Sequence, residues 1–280
     1  MKYISLIVDE NIHTRKFLRK KGYSNRASEK ILKNGYYLND ILVSKSRQLK
    51  TGDKVKIIIK EEDLDYEPIK EELKILYEDD HTLVINKDPG ISVNSKNQIS
   101  LANHLAYYFL KKGIRSKIRL VNRLDMNTSG IMIVAKNKFA QSYYQDEIEQ
   151  GKIEKKYLAL VESDLDIDRL VKLGILYDKD QKKYLVDNKG KVAKTIFKTK
   201  RIYNNKALVE AKILTGKTHQ IRLSLSYLGY PIIGDKLYGS RVEIDRFLLH
   251  SYFLSFRPFL GEENIKIVDY PEFESFLRVL

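Results

Sequence analysis

Apolar and polar residues follow two spacings along the chain, and each spacing predicts a different secondary structure. Apolar residues at every second position predict strands, whereas spacings of three and four predict amphipathic helices. After residue 73 the strand patterns outnumber the helical ones and do not alternate regularly with them. This favours a mixed, largely antiparallel α+β sheet over a doubly wound parallel one. Helices are predicted at 13–22, 24–35, 100–113 and 137–151, and strands at 35–40, 41–46, 52–59, 73–87, 131–136, 155–162, 194–203, 207–214 and 250–256.

Charge divides this pattern into regions. The 280 residues carry 51 Lys and Arg against 37 Asp and Glu, a formal charge of +14. Residues 1–60 hold 15 of the basic residues and 5 of the acidic ones, and "EEDLDYEPIKEEL" at 61–73 follows with seven acids, one lysine and a proline. We therefore expect a small basic α/β domain at 1–60, an acidic linker at 61–73 and a larger domain at 74–280.

Composition excludes several classes of protein and favours one kind of partner. The chain has no cysteine, which excludes disulfides, thiolate catalysis and cysteine-bound metal clusters. Its five histidines are scattered, so no metal site is expected. No apolar run is long enough to span a bilayer, and "MKYISLIVDE" reaches an acid too early for a signal peptide, so a cytoplasmic location is expected. The positive field suits polyanions, with nucleic acid first among them.

The small domain is predicted to present two basic helices. In the second, Ser24 is a suitable N-cap and Gly35 falls just past the end. Such a face can lie along a phosphate backbone, although lysines and arginines also simply solvate a surface. The segments "YSNRASEKILKNGYYLND" and "SRQLKTGDKV" resemble the small RNA-binding domain first described in a small-subunit ribosomal protein. This resemblance covers residues 12–60.

A lone carboxylate stands out in "LVNRLDMNTSGIMIVAKN", residues 120–137. In an extended backbone Arg123 and Asp125 would project to the same side while Leu124 faces the core. A nearby cation would keep Asp125 ionised and fit to act as nucleophile or base. The alternative is a structural pair of Arg123 and Asp125 that caps the turn.

The segment "LTGKTHQIRLSLSYLGYPIIGDKLYG", residues 214–239, begins with a dense run of polar donors. "TGKT" suggests a phosphate-binding P-loop, but the required first glycine is replaced by Ala211, and a strand followed by a helix is not expected here. Two interpretations are left. The run is either a solvated loop or a cluster that holds an anion and supplies Asp125 with a cation.

Two aromatic positions have competing interpretations. In "KKYLALV", Lys155 and Tyr157 would share one face, and Tyr157 would either pack in the core or stack on a flat substrate. In "RFLLHSYFLSFRPF", His250 has apolar neighbours and is expected to be a core histidine with its hydrogen bonds satisfied.

The blocks "YEDDHTLVINKDPGISVNS", "LVNRLDMNTSGIMIVAKN", "KKYLALV", "GKVAKTIFK", "LTGKTHQIRLSLSYLGYPIIGDKLYG" and "RFLLHSYFLSF" together resemble the RluA-type pseudouridine synthases over about residues 74–260. Enzymes of this family isomerise chosen uridines in ribosomal or transfer RNA without a cofactor or metal. The resemblance implies that Asp125 is the essential aspartate, that Tyr157 contacts the target base and that Arg222 pairs with Asp125.

On this resemblance the expected partner is RNA and the expected form is a monomer. Asp125 could add to the uracil ring, attack the anomeric carbon or abstract a sugar proton. The alternative to an enzyme is a non-catalytic RNA-binding or ribosome-assembly factor on the same fold. RNA contacts are expected from Arg123, Lys155, Lys217, Thr218, His219 and Gln220 in the large domain, and from Arg19, Lys20, Arg26, Lys30 and Lys33 in the small one.

Overall fold

The computed structural model describes residues 2–95 and 97–275, with side chains up to Phe273. The first residue of the predicted small domain and residues 276–280 of the predicted large one lie outside the described residues. The N-terminal part consists of β1 (Lys2–Ile7), β2 (Ile12–His13), α1 (Thr14–Lys20), α2 (Asn25–Asn34), β3 (Tyr36–Leu38), β4 (Ile41–Val43), β5 (Gln48–Leu49) and β6 (Lys54–Ile59).

The N-terminal part is an antiparallel sheet, in the order β1-β6-β3-β4, that shares a core with both helices. The two predicted helices are confirmed. The Ser24 hydroxyl accepts a hydrogen bond from the Ala27 amide at 3.1 Å, and Gly35 ends α2 with φ of +92°. Strands β1, β2 and β5 were not predicted. They are short or mostly exposed, so their sequences lack a clear alternation of apolar and polar residues.

The acidic segment 61–73 forms hydrogen bonds and ion pairs with residues that follow it in the chain. Glu62 Oε2 lies 2.6 Å from the Arg119 guanidinium, and Asp65 accepts a hydrogen bond from the Ile118 amide at 2.8 Å. The Asn103 side chain donates to the Glu67 carbonyl at 3.0 Å. The segment predicted as a linker is therefore an extended strap held by hydrogen bonds and ion pairs.

The larger part is built on one mixed sheet flanked by helices. Its elements are β7 (Lys74–Glu78), β8 (Thr82–Lys87), α3 (Leu101–Lys111), β9 (Arg119–Leu120), β10 (Ser129–Ala135), α4 (Lys138–Glu149), β11 (Glu154–Val161), β12 (Asp168–Asp178), β13 (Lys183–Val186), β14 (Lys191–Tyr203), β15 (Lys206–Ile213), α5 (Gln220–Tyr227), β16 (Leu249–Phe256) and β17 (Ile265–Val268). Throughout the described ranges, no helix is long and apolar enough to cross a membrane.

This sheet has eleven strands, in the order β13-β12-β14-β15-β11-β16-β10-β8-β7, with β17 paired to β16 and β9 to β10. Its pairings are antiparallel except that of β10 with β16, where Ser129 lies opposite His250 and Gly130 opposite Ser251. The predicted α+β class with a mixed, largely antiparallel sheet is confirmed. The parallel pair brings the turn before β10 against the middle of the sheet.

Three predictions for this part need correction. The strand predicted at 73–87 is a hairpin, because the Asp79 carboxylate accepts hydrogen bonds from the His81 and Thr82 amides and turns the chain. Strands β9, β12, β13 and β17 were missed. So was α5, which means that a strand followed by a helix does surround "TGKT". Ala211 lies inside β15 and is buried, so the first glycine of a P-loop is still missing.

The two parts of the chain share an apolar junction. The Tyr23 ring packs edge-on against Phe139 and Phe259, with centroids 5.3 and 5.2 Å away. The Ser142 hydroxyl of α4 donates to the Ser24 hydroxyl at 2.9 Å. Because these aromatic side chains belong to one buried cluster with the core of the N-terminal part, the two parts pack as a single body.

Candidate active site

A cavity of about 630 Å³ opens where the loop before β10, strand β11 and the loop before α5 converge. Its lining includes Asp125, Lys155, Tyr157, Thr218 and Arg222. The structure thus brings together three segments that are far apart in sequence and that the sequence analysis had identified separately. A cavity of this size can receive one flipped nucleotide.

Asp125 lies at the edge of this cavity with its side chain 27% exposed. Its Oδ2 accepts a hydrogen bond from Arg222 Nη1 at 3.0 Å. Leu124 is buried in the core as expected, and Arg123, an expected RNA contact, is exposed in the cavity lining with no ion pair among the described residues. The predicted partnership of Asp125 with Arg222 is present, and the alternative pair with Arg123 is not.

Arg222 is buried and held by a second carboxylate. Its Nε and Nη2 donate to the two oxygens of Asp235 at 2.7 and 2.9 Å, and its guanidinium stacks 4.1 Å from the Phe247 ring centroid. Burial acts to lower the pKa of Arg222, but the contacts with Asp235 and Asp125 raise it overall. The remaining nitrogen, Nη1, is left to face Asp125. Asp235 lies in "GDKLYG", where the sequence pattern gives no sign of this role.

His219, an expected RNA contact, lines the cavity next to Asp125. It precedes α5 in the left-handed region, with φ of +55°, and its Nε2 lies 3.8 Å from Asp125 Oδ2. Its Nδ1 shares a hydrogen bond of 2.8 Å with the Tyr238 hydroxyl. Burial lowers the pKa of His219, with the charge of Asp125 acting in the opposite direction, so the imidazole is neutral at pH 7.

Tyr157 lies on β11, buried in the main core, and also lines the cavity. Burial raises the pKa of Tyr157 to about 12, with the charge of Asp125 adding to the effect. Its hydroxyl is therefore protonated at neutral pH. Lys155, an expected RNA contact, also lines the cavity, and burial lowers the pKa of its amine.

Gln220, an expected RNA contact, is held by hydrogen bonds within the protein. Its Oε1 accepts from Thr215 Oγ1 and the Lys217 amide at 2.9 and 3.0 Å. Its Nε2 donates to Thr195 Oγ1 and the Lys194 carbonyl at 2.9 and 3.0 Å. Since all four hydrogen-bonding positions of the amide are used, Gln220 shapes the loop, and RNA would have to compete with these partners for it. Lys217, Thr218 and Gln220 all line the cavity.

Two further side chains stabilise the site. Lys87 is fully buried, and its Nζ donates to the carbonyls of Asp88 and Met126 at 2.7 and 2.8 Å, which fixes the backbone next to Asp125. Burial lowers the pKa of Lys87 to about 8. His250 is a satisfied core histidine as predicted, bonded to Ser129 Oγ at 2.8 Å and to the Asp269 carbonyl at 2.9 Å.

The expected RNA contacts of the N-terminal part lie on its surface. Arg26, Lys30 and Lys33 are exposed on α2. Arg19 donates to the Tyr23 carbonyl at 3.4 Å, and Lys20 pairs with Glu10 at 2.8 Å and Asp9 at 3.3 Å. Lys20 therefore has intramolecular partners with which RNA would compete. Within residues 2–95 and 97–275, no group of three or more His, Asp or Glu side chains is placed to bind a metal ion.

Comparison with known proteins agrees with this geometry. A family model described as RNA pseudouridylate synthase matches residues 81–227. The uncharacterised RNA pseudouridine synthase YjbO of Bacillus subtilis (strain 168) is 38% identical, over 78% of this chain and 80% of that protein. The ribosomal large subunit pseudouridine synthase C of Vibrio parahaemolyticus serotype O3:K6 is 30% identical, over 81% and 80%.

A solved structure is also similar. Human RNA pseudouridylate synthase domain containing 1 superposes with a TM-score of 0.63 at 25% identity, covering 76% of this chain and 89% of that one. Both the sequence and the fold around the Asp125 cavity are thus shared with enzymes of one kind. The chain belongs to the RNA pseudouridine synthase family, as a member of its RluA type.

Proposed function

We propose that this pseudouridine synthase modifies uridines of ribosomal RNA, with Asp125 as its catalytic carboxylate. The observation that carries the proposal is the contact of 3.0 Å between Asp125 and an arginine that Asp235 holds in place, at the edge of a nucleotide-sized cavity. The choice of ribosomal RNA is supported by the names of several relatives, among them the large-subunit enzyme of Vibrio parahaemolyticus.

The reaction is an isomerisation, so atoms and electrons balance without a co-reactant. The bond between N1 of uracil and C1′ of ribose breaks, the base turns within the cavity, and C5 bonds to C1′. The proton that leaves C5 is balanced by one gained at N1. Asp125 supplies the carboxylate, and Arg222 orients it through the hydrogen bond from Nη1 to Oδ2 at 3.0 Å. The cavity keeps the free base from escaping.

Tyr157 has the position of a group that stacks on the base and the protonation state of one that donates a hydrogen bond. Its ring lines the cavity, and a pKa of about 12 keeps the phenol neutral at physiological pH. A neutral phenol can donate a hydrogen bond to the base but is a poor proton acceptor. We therefore assign Tyr157 to holding the turning base.

The N-terminal part is proposed to be an RNA-binding domain of the ribosomal-protein type, comprising residues 1–60. Its exposed basic residues on α2 support this. The strap at 61–73 and the catalytic domain from 74 onward complete the proposed division. A cytoplasmic location and a monomeric state stay predictions.

The catalytic assignment is tested by Asp125→Ala. We expect the variant to form no pseudouridine, measured as tritium release from ring-labelled uridine in a ribosomal RNA transcript, while its affinity for that RNA stays within a few-fold. The control is Asp166→Asn, which removes an exposed carboxylate that does not line the cavity and should leave activity unchanged. Isomerisation by Asp125→Ala would refute the assignment.

The RNA target is tested in cells with and without the gene. We expect carbodiimide mapping to show pseudouridines missing from ribosomal RNA and unchanged in transfer RNA. Loss confined to transfer RNA would overturn the proposed target and leave the enzymatic assignment intact.

A further inference from the structure

A second cavity lies at the junction of the two parts of the chain, away from Asp125. It encloses about 150 Å³ between α2, the end of β6 and the start of α4. Three lysines line it: Lys30 from α2, Lys60 just after β6, and Lys138 at the first position of α4. The rest of its lining includes Ile31, Ile57 and Phe139. We refer to this cavity as the basic crevice.

The basic crevice holds positive charge that the protein does not neutralise. In the part of the chain that the structure describes, none of the three lysines forms an ion pair. Burial lowers the pKa of Lys138, and Lys30 and Lys60 act in the same direction. Glu62 opposes them, but its carboxylate is engaged by Arg119 at 2.6 Å. An anion between the lysines would relieve this repulsion.

Helix α4 connects the basic crevice to the catalytic cavity. Lys138 and Gln145 are seven residues apart, so they lie on the same face of the helix, about 10 Å from each other along its axis. Gln145 and Ile148 line the catalytic cavity. A strand of RNA that leaves the cavity along this face therefore reaches the three lysines within a few nucleotides.

We propose that the basic crevice formed by Lys30, Lys60 and Lys138 binds a phosphate of the RNA strand whose uridine enters the Asp125 cavity. The N-terminal and catalytic parts then hold the same phosphate from two sides. The inference rests on the proposed function, because it takes RNA as the ligand. An acidic protein is a poorer fit, since the crevice encloses only about 150 Å³ and its Lys138 lies on the same helix as Gln145 of the catalytic cavity.

The first test measures the salt dependence of binding to a short fluorescein-labelled oligouridine by anisotropy. Each phosphate contact to a single strand contributes about 0.7 to the slope of log Kobs against log salt concentration. We expect the triple variant Lys30→Ala, Lys60→Ala, Lys138→Ala to lose at least one such contact and to bind several-fold more weakly. The matched control replaces Lys179, Lys200 and Lys266, three exposed lysines that line neither cavity, with alanine.

The comparison between the two triple variants decides the outcome. A smaller slope in the crevice variant than in the control supports the proposal. Equal slopes would show that only net charge matters and would overturn it. An unchanged slope in the crevice variant would also overturn it, and would favour an acidic protein as the occupant.

The second test uses the absence of cysteine from the chain. A single Lys138→Cys substitution can carry a benzophenone label, and irradiation with ribosomal RNA should then give crosslinks within a few nucleotides of a modified uridine. Lys266→Cys is the labelled control and should give none there. Active, labelled Lys138→Cys protein without such crosslinks would contradict the proposal.

These tests separate the crevice from the proposed function. If wild-type protein binds oligouridine through the crevice but makes no pseudouridine in ribosomal RNA, the proposed function fails and the binding site stands. If it makes pseudouridine and the two triple variants behave alike, the crevice fails and the proposed function stands.

Discussion

Arg222 lies between two carboxylates that act on it differently. Asp235 is 1% exposed and takes two of its nitrogens, whereas Asp125 is partly exposed and takes one. A bidentate contact fixes the plane of a guanidinium, while a single contact leaves it free to turn. Asp235 is therefore a positioning residue, and it acts on the reaction only through the direction in which Arg222 points.

We expect Asp235→Asn to lower kcat for pseudouridine formation about ten-fold or more, because an amide cannot accept both hydrogen bonds from Arg222. KM for RNA should change little, since Asp235 is buried. Single-turnover rates and a binding isotherm measure the two quantities. Asp245→Asn removes an exposed carboxylate from a neighbouring turn and should alter neither. A rise in KM with unchanged kcat would contradict the positioning role.

Individual site residues differ in how far the sequence predicts them. The partnership of Asp125 with Arg222 was predictable because both lie in long blocks with a family resemblance. The bond from Asp235 to Arg222 was not, because spacing along the chain does not show which of the surrounding acids faces a buried arginine. The internal hydrogen bonds of Gln220 were not predictable either, because a polar residue in a polar run gives no sign that its partners are within the protein.

Among the secondary-structure elements, α5 shows why alternation can mislead. Ile221, Leu223 and Leu225 occupy every second position, which is the pattern of a strand. The segment is a helix whose first six residues, from Gln220 to Leu225, are all buried, so no polar face marks the helical spacing. The exposed helices α2 and α4 do have such faces, and they were predicted correctly.

The parallel pairing of β10 with β16 depends on Gly130. Its φ is +111°, and a Cβ there would collide with the Ser251 backbone. We expect Gly130→Ala to cost about 3 kcal/mol in the free energy of unfolding, measured by urea denaturation. Gly113→Ala is the control for backbone strain alone. It has φ of +66° in open space and should cost about 1 kcal/mol. Equal costs would show that the collision is relieved by a small shift.

For the molecule as a whole, the shared junction changes what a truncation would do. Deleting residues 1–60 would remove the exposed basic residues of α2 that are proposed to bind RNA. The structure shows that the deletion would also uncover Phe139, Tyr143 and Phe259, which pack with the N-terminal core. Exposed aromatic surface of this kind favours aggregation. Substitutions in the basic crevice leave the aromatic packing of the junction in place. They are therefore the better test of RNA binding.

Buried tyrosines make the whole protein sensitive to alkali. Burial raises the pKa of Tyr77, Tyr157 and Tyr238 to about 12, and raises that of Tyr23 further. Between pH 10 and 12 the unfolded chain loses phenolic protons that the folded chain keeps. The unfolded chain therefore binds fewer protons than the folded chain in this range. Stability contributed by these groups is therefore complete below pH 10 and falls as pH rises.

The Tyr23 hydroxyl is buried and has no hydrogen-bond partner among the described residues. We expect Tyr23→Phe to leave the urea midpoint unchanged or higher at neutral pH, and to make its decline above pH 10 shallower than in wild type. Tyr227→Phe, at a tyrosine that is 61% exposed, should follow the wild-type curve. Identical slopes for both variants would rule out Tyr23 as a source of the alkaline loss.

The aromatic contacts of Tyr23 can form only after much of the chain has been synthesised. A ribosome makes the N-terminal helices early, but Phe139 emerges only near the middle of the chain and Phe259 near its end. Until then the apolar side of the N-terminal part has no surface to pack against. The junction therefore forms late in translation. On our proposal, a chain whose junction has not formed cannot hold an RNA phosphate between its two parts.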